Sequence, residues 1–355
     1  VLQADEGQIW QESRELEQHL DQSGLPYQEP ALLAYLNTIA ARLGQATPTG
    51  GKLQFTVKVI RSPLLNAFAL PHGVIYIHTG LLAKLENEAQ LATLLGHEMT
   101  HIVQRHVVKE WRHIENTTAV LASLGIIDSP MSGLGPASLL GAVGALTAIS
   151  GYSQEKETEA DQGALKLLLQ GGYDPREALR LFQHIQRDLQ EQKVKEPFFF
   201  ATHPRVQERV DNFSQFLRGH AGSVSGKRGE EGFTERLLPL LLVNARLNLS
   251  AGRFKAAARD LERVLLLNPE EATANFLMGE LHRQDQAAGG LTRAEQAYRR
   301  AIRSDASYPE PYKGLGLVLR KLGHHDEASK AFTEYLQRAP AAADKAYVEE
   351  YLRGR

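Results

Sequence analysis

The chain of 355 residues carries 40 basic and 42 acidic side chains, a net charge of -2, and 43% of its residues are hydrophobic. That length suits two domains and that apolar share suits packed cores, while the balanced charge excludes nucleic acid as a principal partner, which would call for a basic surface. Zero cysteines exclude disulfides and thiol chemistry in any compartment.

The chain starts at Val1 with no charged-then-apolar leader, so any signal peptide is expected to lie outside it. Helices are predicted over Asp5 to His19 and Pro30 to Leu43. From Leu53 to Ile60 the apolar Leu53, Phe55, Val57 and Val59 alternate with Gln54, Thr56 and Lys58, the pattern of a half-buried strand, and Val74 to His78 reads as a second, shorter one. The run from Glu88 to Val108 then sets Leu91, Leu94, Leu95, Ile102 and Val103 at helical spacing behind Asn87 as N-cap, which predicts a half-buried helix.

In the middle of that helix stands His97-Glu98-Met99-Thr100-His101. Residues four apart share a helix face, so both imidazoles can offer nitrogens to one metal ion, and Glu98 beside them can take a proton from an activated water. A catalytic zinc needs a third protein ligand, and no cysteine supplies it. The next helical segment, Ser153 to Gln170, carries Glu157 and Asp161 on one face. Two readings of these acids stand: favourable charge near a helix N-terminus, or Glu157 as third ligand with Asp161 as the acceptor that orients a metal-bound histidine.

Between the two motifs, from Glu115 to Glu155, the only charged residue is Asp128. Asp128, Pro130 and Pro136 divide the stretch into pieces short of a membrane span, so no transmembrane helix is expected. It reads as a pair of buried helices or a cover over the active site, with Gly133, Gly135, Gly141 and Gly144 permitting movement, in preference to a membrane-touching element. Further helices are predicted over 173–192 and 204–218, and between them lies Thr202-His203-Pro204, with Arg209 six residues on. The Gly-, Ser- and charge-rich segment 219–232 reads as a linker or mobile loop.

Beyond it, Ala257, Ala294 and Ala328 recur at intervals of 37 and 34 residues, each followed four residues later by Leu261, Tyr298 or Phe332. Pro269 and Pro340 stand twelve residues after the first and last alanine. A small residue where two helices touch, a large one a turn later and a closing proline is the tetratricopeptide pattern. Tyr312, Leu315, Gly316 and Gly323 complete it in the last unit; extra residues of the middle unit fall in the turn around Gln284 to Gly290. Ala341 to Arg355 reads as a capping helix. Stacked repeats present a groove for extended peptides or partner segments; they bind and do not catalyse.

Taken together, Asn66-Ala67-Phe68-Ala69-Leu70-Pro71, Thr79-Gly80-Leu81-Leu82, the His97–His101 pentapeptide, Glu157-Thr-Glu-Ala-Asp161 and Thr202-His203-Pro204 resemble the HtpX-like and CAAX-prenyl-protease type of gluzincin metallopeptidase. The resemblance covers roughly residues 1–218. It implies one zinc ion held by His97, His101 and Glu157, with Glu159 not a ligand, Glu98 as catalytic base and Asn66, Ala67 and Phe68 on the rim of the substrate cleft. In periplasmic members of that family the histidine of His-Pro can approach the zinc and hold a latent state, with the following arginine near the active site; His203 and Arg209 stand at those positions. One departure is His72, where the family usually has glycine.

The expected architecture is therefore an α+β gluzincin-type zinc protease domain over 1–218, a linker over 219–232, and an all-α tetratricopeptide-repeat solenoid over 233–355. The expected activity is zinc-dependent endoproteolysis. The resemblance further implies a bacterial periplasmic location, misfolded or stalled envelope proteins as substrates, and contact through the repeats with the machinery that assembles outer-membrane proteins; peripheral membrane contact stays open. The rival reading is a chaperone or scaffold acting through its repeats, with a latent zinc module. Prenyl-protein proteolysis is set aside because the membrane-spanning helices it would need are not found in the sequence.

Overall fold

The computed structural model describes residues 6–106, 108–109, 152–192, 206–219, 225–285 and 289–353. The apolar stretch from residue 115 with its four glycines, His203, and residues 286–288 of the long repeat turn lie outside the described residues. The chain divides into two compact units, Val1–Arg236 and Leu237–Arg355.

In the first unit, helix α1 (Glu6–Gln22) buries Ile9, Leu16 and Leu20, and helix α2 (Pro30–Ala46) buries Leu32, Leu36, Ile39 and Leu43. Glu29 caps α2 by accepting from Leu32 N, and Pro30 opens it with a φ already helical and no N–H to satisfy. Three strands follow: β1 (Thr56–Ile60), β2 (Ala67–Ala69) and β3 (Val74–His78), in the order β1-β3-β2. β1 runs parallel to β3, and β2 antiparallel to it. The sequence pattern starts β1 three residues too early and passes over the three-residue β2, which is too short for its alternation to register.

The outer edge of β1 is closed. Asn37 of α2 donates from Nδ2 to Val57 O at 3.0 Å and accepts from Val57 N at 2.8 Å, while Tyr27 N donates to Val59 O at 2.8 Å. No strand among the described residues pairs with the outer edge of β2. At the β2–β3 turn, Gly73 has φ +107°, and a Cβ there would lie 2.4 Å from Gln54 O, so only glycine fits. Its neighbour His72 fastens the turn to α1: Nδ1 lies 2.5 Å from Ser13 Oγ and Nε2 2.7 Å from Glu17 Oε2.

After the short helix α3 (Thr79–Leu82) comes α4 (Glu88–Val103), capped by Asn87, whose Oδ1 accepts from Gln90 N at 2.9 Å. Its apolar face predicts half burial, yet every residue from Ala89 to Ile102 is buried, because α2, β2 and the following two helices surround it. It also ends five residues before the predicted Val108. Those following helices are α5 (Gln154–Gln170) and α6 (Arg176–Gln192); α7 (Val206–Gly219) packs against α6 with Phe182 and Phe213 stacked 5.4 Å apart. Of the segment read as a linker, residues 225–232 are hydrogen-bonded into this unit: Arg228 and Gly229 carbonyls accept from the first amides of α4, and Lys227 bridges to Tyr173. A turn that caps a helix needs the same glycines and polar residues as a free linker.

The second unit consists of antiparallel helices: α8 (Phe233–Ser250, which begins before the division), α9 (Phe254–Leu267), α10 (Ala272–Gln284), α11 (Gly290–Ser304), α12 (Glu310–Lys321), α13 (His325–Arg338) and α14 (Lys345–Arg353). The marker alanines Ala257, Ala294 and Ala328 and the large Leu261, Tyr298 and Phe332 are all buried. Close approach is set by glycine facing aromatic: a Cβ on Gly314 would lie 2.5 Å from Tyr298, and one on Gly316 2.6 Å from Phe332. α14 closes the stack, with Tyr351 on Phe332 at 5.4 Å.

Candidate metal centre

Helical periodicity places His97 and His101 on one face of α4, with their Nε2 atoms 3.0 Å apart. What brings a third donor to them is the tight crossing of α5 over α4. A Cβ on Gly96 would meet Ala164 Cα at 3.1 Å, and one on Gly163 would meet Thr100 Oγ1 at 2.2 Å. The small residues let the helix backbones come close enough for Glu157, in the first turn of α5, to reach both imidazoles. Its Oε2 lies 3.5 Å from His97 Nε2 and its Oε1 3.3 Å from His101 Nε2.

These separations test the site. Around a tetrahedral ion with bonds of about 2.0–2.1 Å, neighbouring ligand atoms stand roughly 3.3 Å apart. The separations, 3.0 Å between the two Nε2 atoms and 3.3 and 3.5 Å from them to the two different oxygens of Glu157, lie around that value. One ligand atom from each residue falls within 4.8 Å of the others, and all three residues are buried. Two imidazoles and a carboxylate are the donor set that suits zinc. Glu98, also buried, follows His97 on the helix. Tyr152 lies flat on the His101 ring at 3.8 Å and 18°, which restricts its rotation.

Behind His97, Asp161 Oδ1 stands 3.0 Å from Nδ1, and Arg209 closes the group with Nη2 2.6 Å and Nε 3.0 Å from the same oxygen. Arg209 Nη2 is also 2.8 Å from His97 Nδ1, and its guanidinium lies 4.0 Å over the Phe182 ring. Burial pushes the Asp161 carboxyl above its ordinary value against the pull of Arg209. The cation therefore offsets part of the cost of enclosing a carboxylate beside a second acid, Glu157. Asn66 ends the loop before β2, its carbonyl accepting from His78 N at 2.9 Å; Ala67 and Phe68 follow on β2, which lies against α4. Burial also drives His78 down to about 4, so that ring is neutral.

The structure thus brings His97, Glu98, His101, Glu157, Asp161 and Arg209 to one place and sets Asn66, Ala67 and Phe68 on the neighbouring strand and its approach. Three residues at the centre escape the sequence reading: Gly163, Tyr152 and His106. Glycine and tyrosine carry no ligand signature, and His106, five residues after His101, is off the helical face.

Comparison with known proteins adds the family. The model of peptidase family M48 matches residues 26–216, and a tetratricopeptide repeat model matches 242–309 and 285–344. The beta-barrel assembly-enhancing protease of Yersinia pestis is 29% identical over 192 residues, 52% of this chain and 38% of that protein. The mitochondrial metalloendopeptidase OMA1 of Arabidopsis thaliana is 30% identical over 187 residues, 51% of this chain and 36% of that protein. OMA1 of Schizosaccharomyces pombe is 32% identical over 196 residues, 54% of this chain and 55% of that protein. The match therefore spans from about a third to just over half of these relatives' length.

Proposed function

Because the chain belongs to peptidase family M48, we propose that it is a zinc-dependent endopeptidase that cleaves misfolded or stalled envelope proteins, with its repeats recruiting the substrate or a partner. The observation that carries this reading is the triangle of His97, His101 and Glu157 at tetrahedral spacing. One zinc ion would be held by these three side chains and would supply Lewis acidity toward the scissile carbonyl and the attacking water. Glu98 takes the water's proton and passes it to the leaving amine. Asp161 fixes the His97 ring by accepting from Nδ1, and Arg209 holds Asp161 in place. The outer edge of β2, which no strand among the described residues pairs and which lies beside α4, receives the substrate backbone as an added strand.

His203 belongs to this proposal as the residue that approaches the zinc and holds the enzyme latent; unchanged proteolysis after His203→Ala would count against that role. The periplasm is proposed from the family resemblance of the sequence, and the outer-membrane assembly machinery as docking partner from the name of the Yersinia relative, a beta-barrel assembly-enhancing protease, and from the repeats. Among the described residues no helix is long and apolar enough to cross a membrane. The test is a time course of unfolded-casein cleavage by zinc-loaded protein beside Glu98→Gln. Cleavage that is low in wild type, raised by His203→Ala and lost with Glu98→Gln in either background is expected, with zinc retained throughout; equal cleavage with and without Glu98→Gln refutes the role of Glu98. Aggregation suppression without cleavage by either wild type or His203→Ala would instead favour the chaperone reading.

A further inference from the structure

On the side of His101 away from Glu157, the chain does something its sequence pattern does not call for. Arg105, just past the end of α4, has φ of 59°, a left-handed conformation that residues bearing a Cβ rarely adopt. The turn brings His106 back beneath the helix, where it is buried. Its Nδ1 lies 3.1 Å from Nδ1 of His101, and its Nε2 lies 3.0 Å from Glu159 Oε2 on α5. Backbone held in an uncommon state beside a functional group is a signature of a constrained site.

We propose that His106 is a positioning residue for the metal ligand His101, with Glu159 fixing the proton of His106; this rests on the metal-site reading above. Two ring nitrogens 3.1 Å apart share a single proton. With Nε2 of His101 committed to a metal, the proton sits on Nδ1 of His101 and is donated to Nδ1 of His106. His106 then carries its own proton on Nε2 and donates it to Glu159. One arrangement satisfies all three groups, and it leaves His101 Nε2 bare for the ion. The two ligand imidazoles are thus oriented differently: His97 by a carboxylate tied to Arg209, His101 by a neutral imidazole tied to a half-exposed glutamate. Glu159, which the resemblance excludes as a ligand, acquires a separate role two residues along from Glu157.

The experiment measures zinc affinity of the full chain by competition with a chelator, together with urea midpoints of the metal-free proteins. His106→Ala is expected to bind zinc about 10- to 100-fold more weakly than wild type. His106→Asn, whose Oδ1 takes the place of Nδ1 as acceptor, is expected to recover most of that loss, and Glu159→Gln, which still accepts from Nε2, to stay within about threefold of wild type. Wild-type affinity in His106→Ala overturns the proposal; so does equal weakening in the Ala and Asn variants, which would mark His106 as a space-filler. If the Ala variant does not fold, His106→Gln replaces it, filling the space with the acceptor displaced by one bond; wild-type affinity there also overturns the proposal. His97→Ala distinguishes the two levels: if it keeps wild-type affinity, the metal-site reading itself fails and this inference with it.

Discussion

Gly163→Ala is the sharpest probe of how the metal centre is assembled. The added Cβ would lie 2.2 Å from Thr100 Oγ1, 2.5 Å from Cγ2 and 2.9 Å from Cβ, where ordinary contact begins near 3.4 Å. Thr100 cannot easily swing away, because it is buried and its Oγ1 donates to Gly96 O at 2.7 Å. The helices must therefore separate, and such overpacking costs about 1–3 kcal/mol, here near the upper end. Alanine's better helix propensity returns about 1 kcal/mol, leaving a net loss of roughly 2 kcal/mol. Separation also lifts Glu157 from His97 and His101, so zinc affinity should fall along with stability. Urea denaturation of the metal-free protein and chelator competition read the two effects, and Thr100→Ala in the same chain should restore at least about 1 kcal/mol. A Gly163→Ala protein more stable than wild type, with unchanged zinc affinity, would refute the idea that close helix approach builds the site.

Three further outcomes follow from other contacts. Arg209→Met leaves the enclosed Asp161 without its cation and should cost about 3–5 kcal/mol in urea denaturation, Arg209→Lys recovering part; a loss below about 1 kcal/mol would mean that the ion pair is not needed to hold Asp161. Burial raises the Glu88 carboxyl, but Lys227, Tyr35 and Tyr173 together take it below its ordinary value. Its contribution is thus present above the ordinary carboxylate pKa and lost as pH falls through the lower folded value, so wild type should lose more stability between neutral pH and pH 3 than Glu88→Gln; parallel curves would remove this contribution. His72→Gly, which restores the residue usual in the family, releases Ser13 and Glu17 and should destabilise by about 1–2 kcal/mol, whereas no change would mean that the tie between the turn and α1 is incidental.

Much of the fold and of the site was legible in the sequence because its signals are periodic. His97 and His101 share a face by helical spacing, Glu157 and Asp161 by the same rule, and Ala257, Ala294 and Ala328 mark the repeats by their interval. The rest depends on what a segment meets. Full burial of α4 arises from four neighbours that its own apolar stripe cannot announce. β2 has three residues, too few for alternation to show. The place of His106 requires the left-handed Arg105, which composition does not signal. Gly163 is explained only by Thr100 on the facing helix, and the ordered turn at 225–232 uses the same residue types as free chain.

The brevity of β2 has a consequence for what the proposed cleft can grip. An edge of three residues offers two or three backbone hydrogen bonds, each contributing about 1 kcal/mol net. That is too little to draw a strand out of a folded sheet, but enough to hold a chain whose amides are already unpaired. Backbone bonds are blind to side-chain identity, so the cleft would sort its clients by folding state before it sorted them by sequence. The same shortness limits what the edge could offer to a second copy of itself, since a strand of three residues presents few unpaired backbone groups.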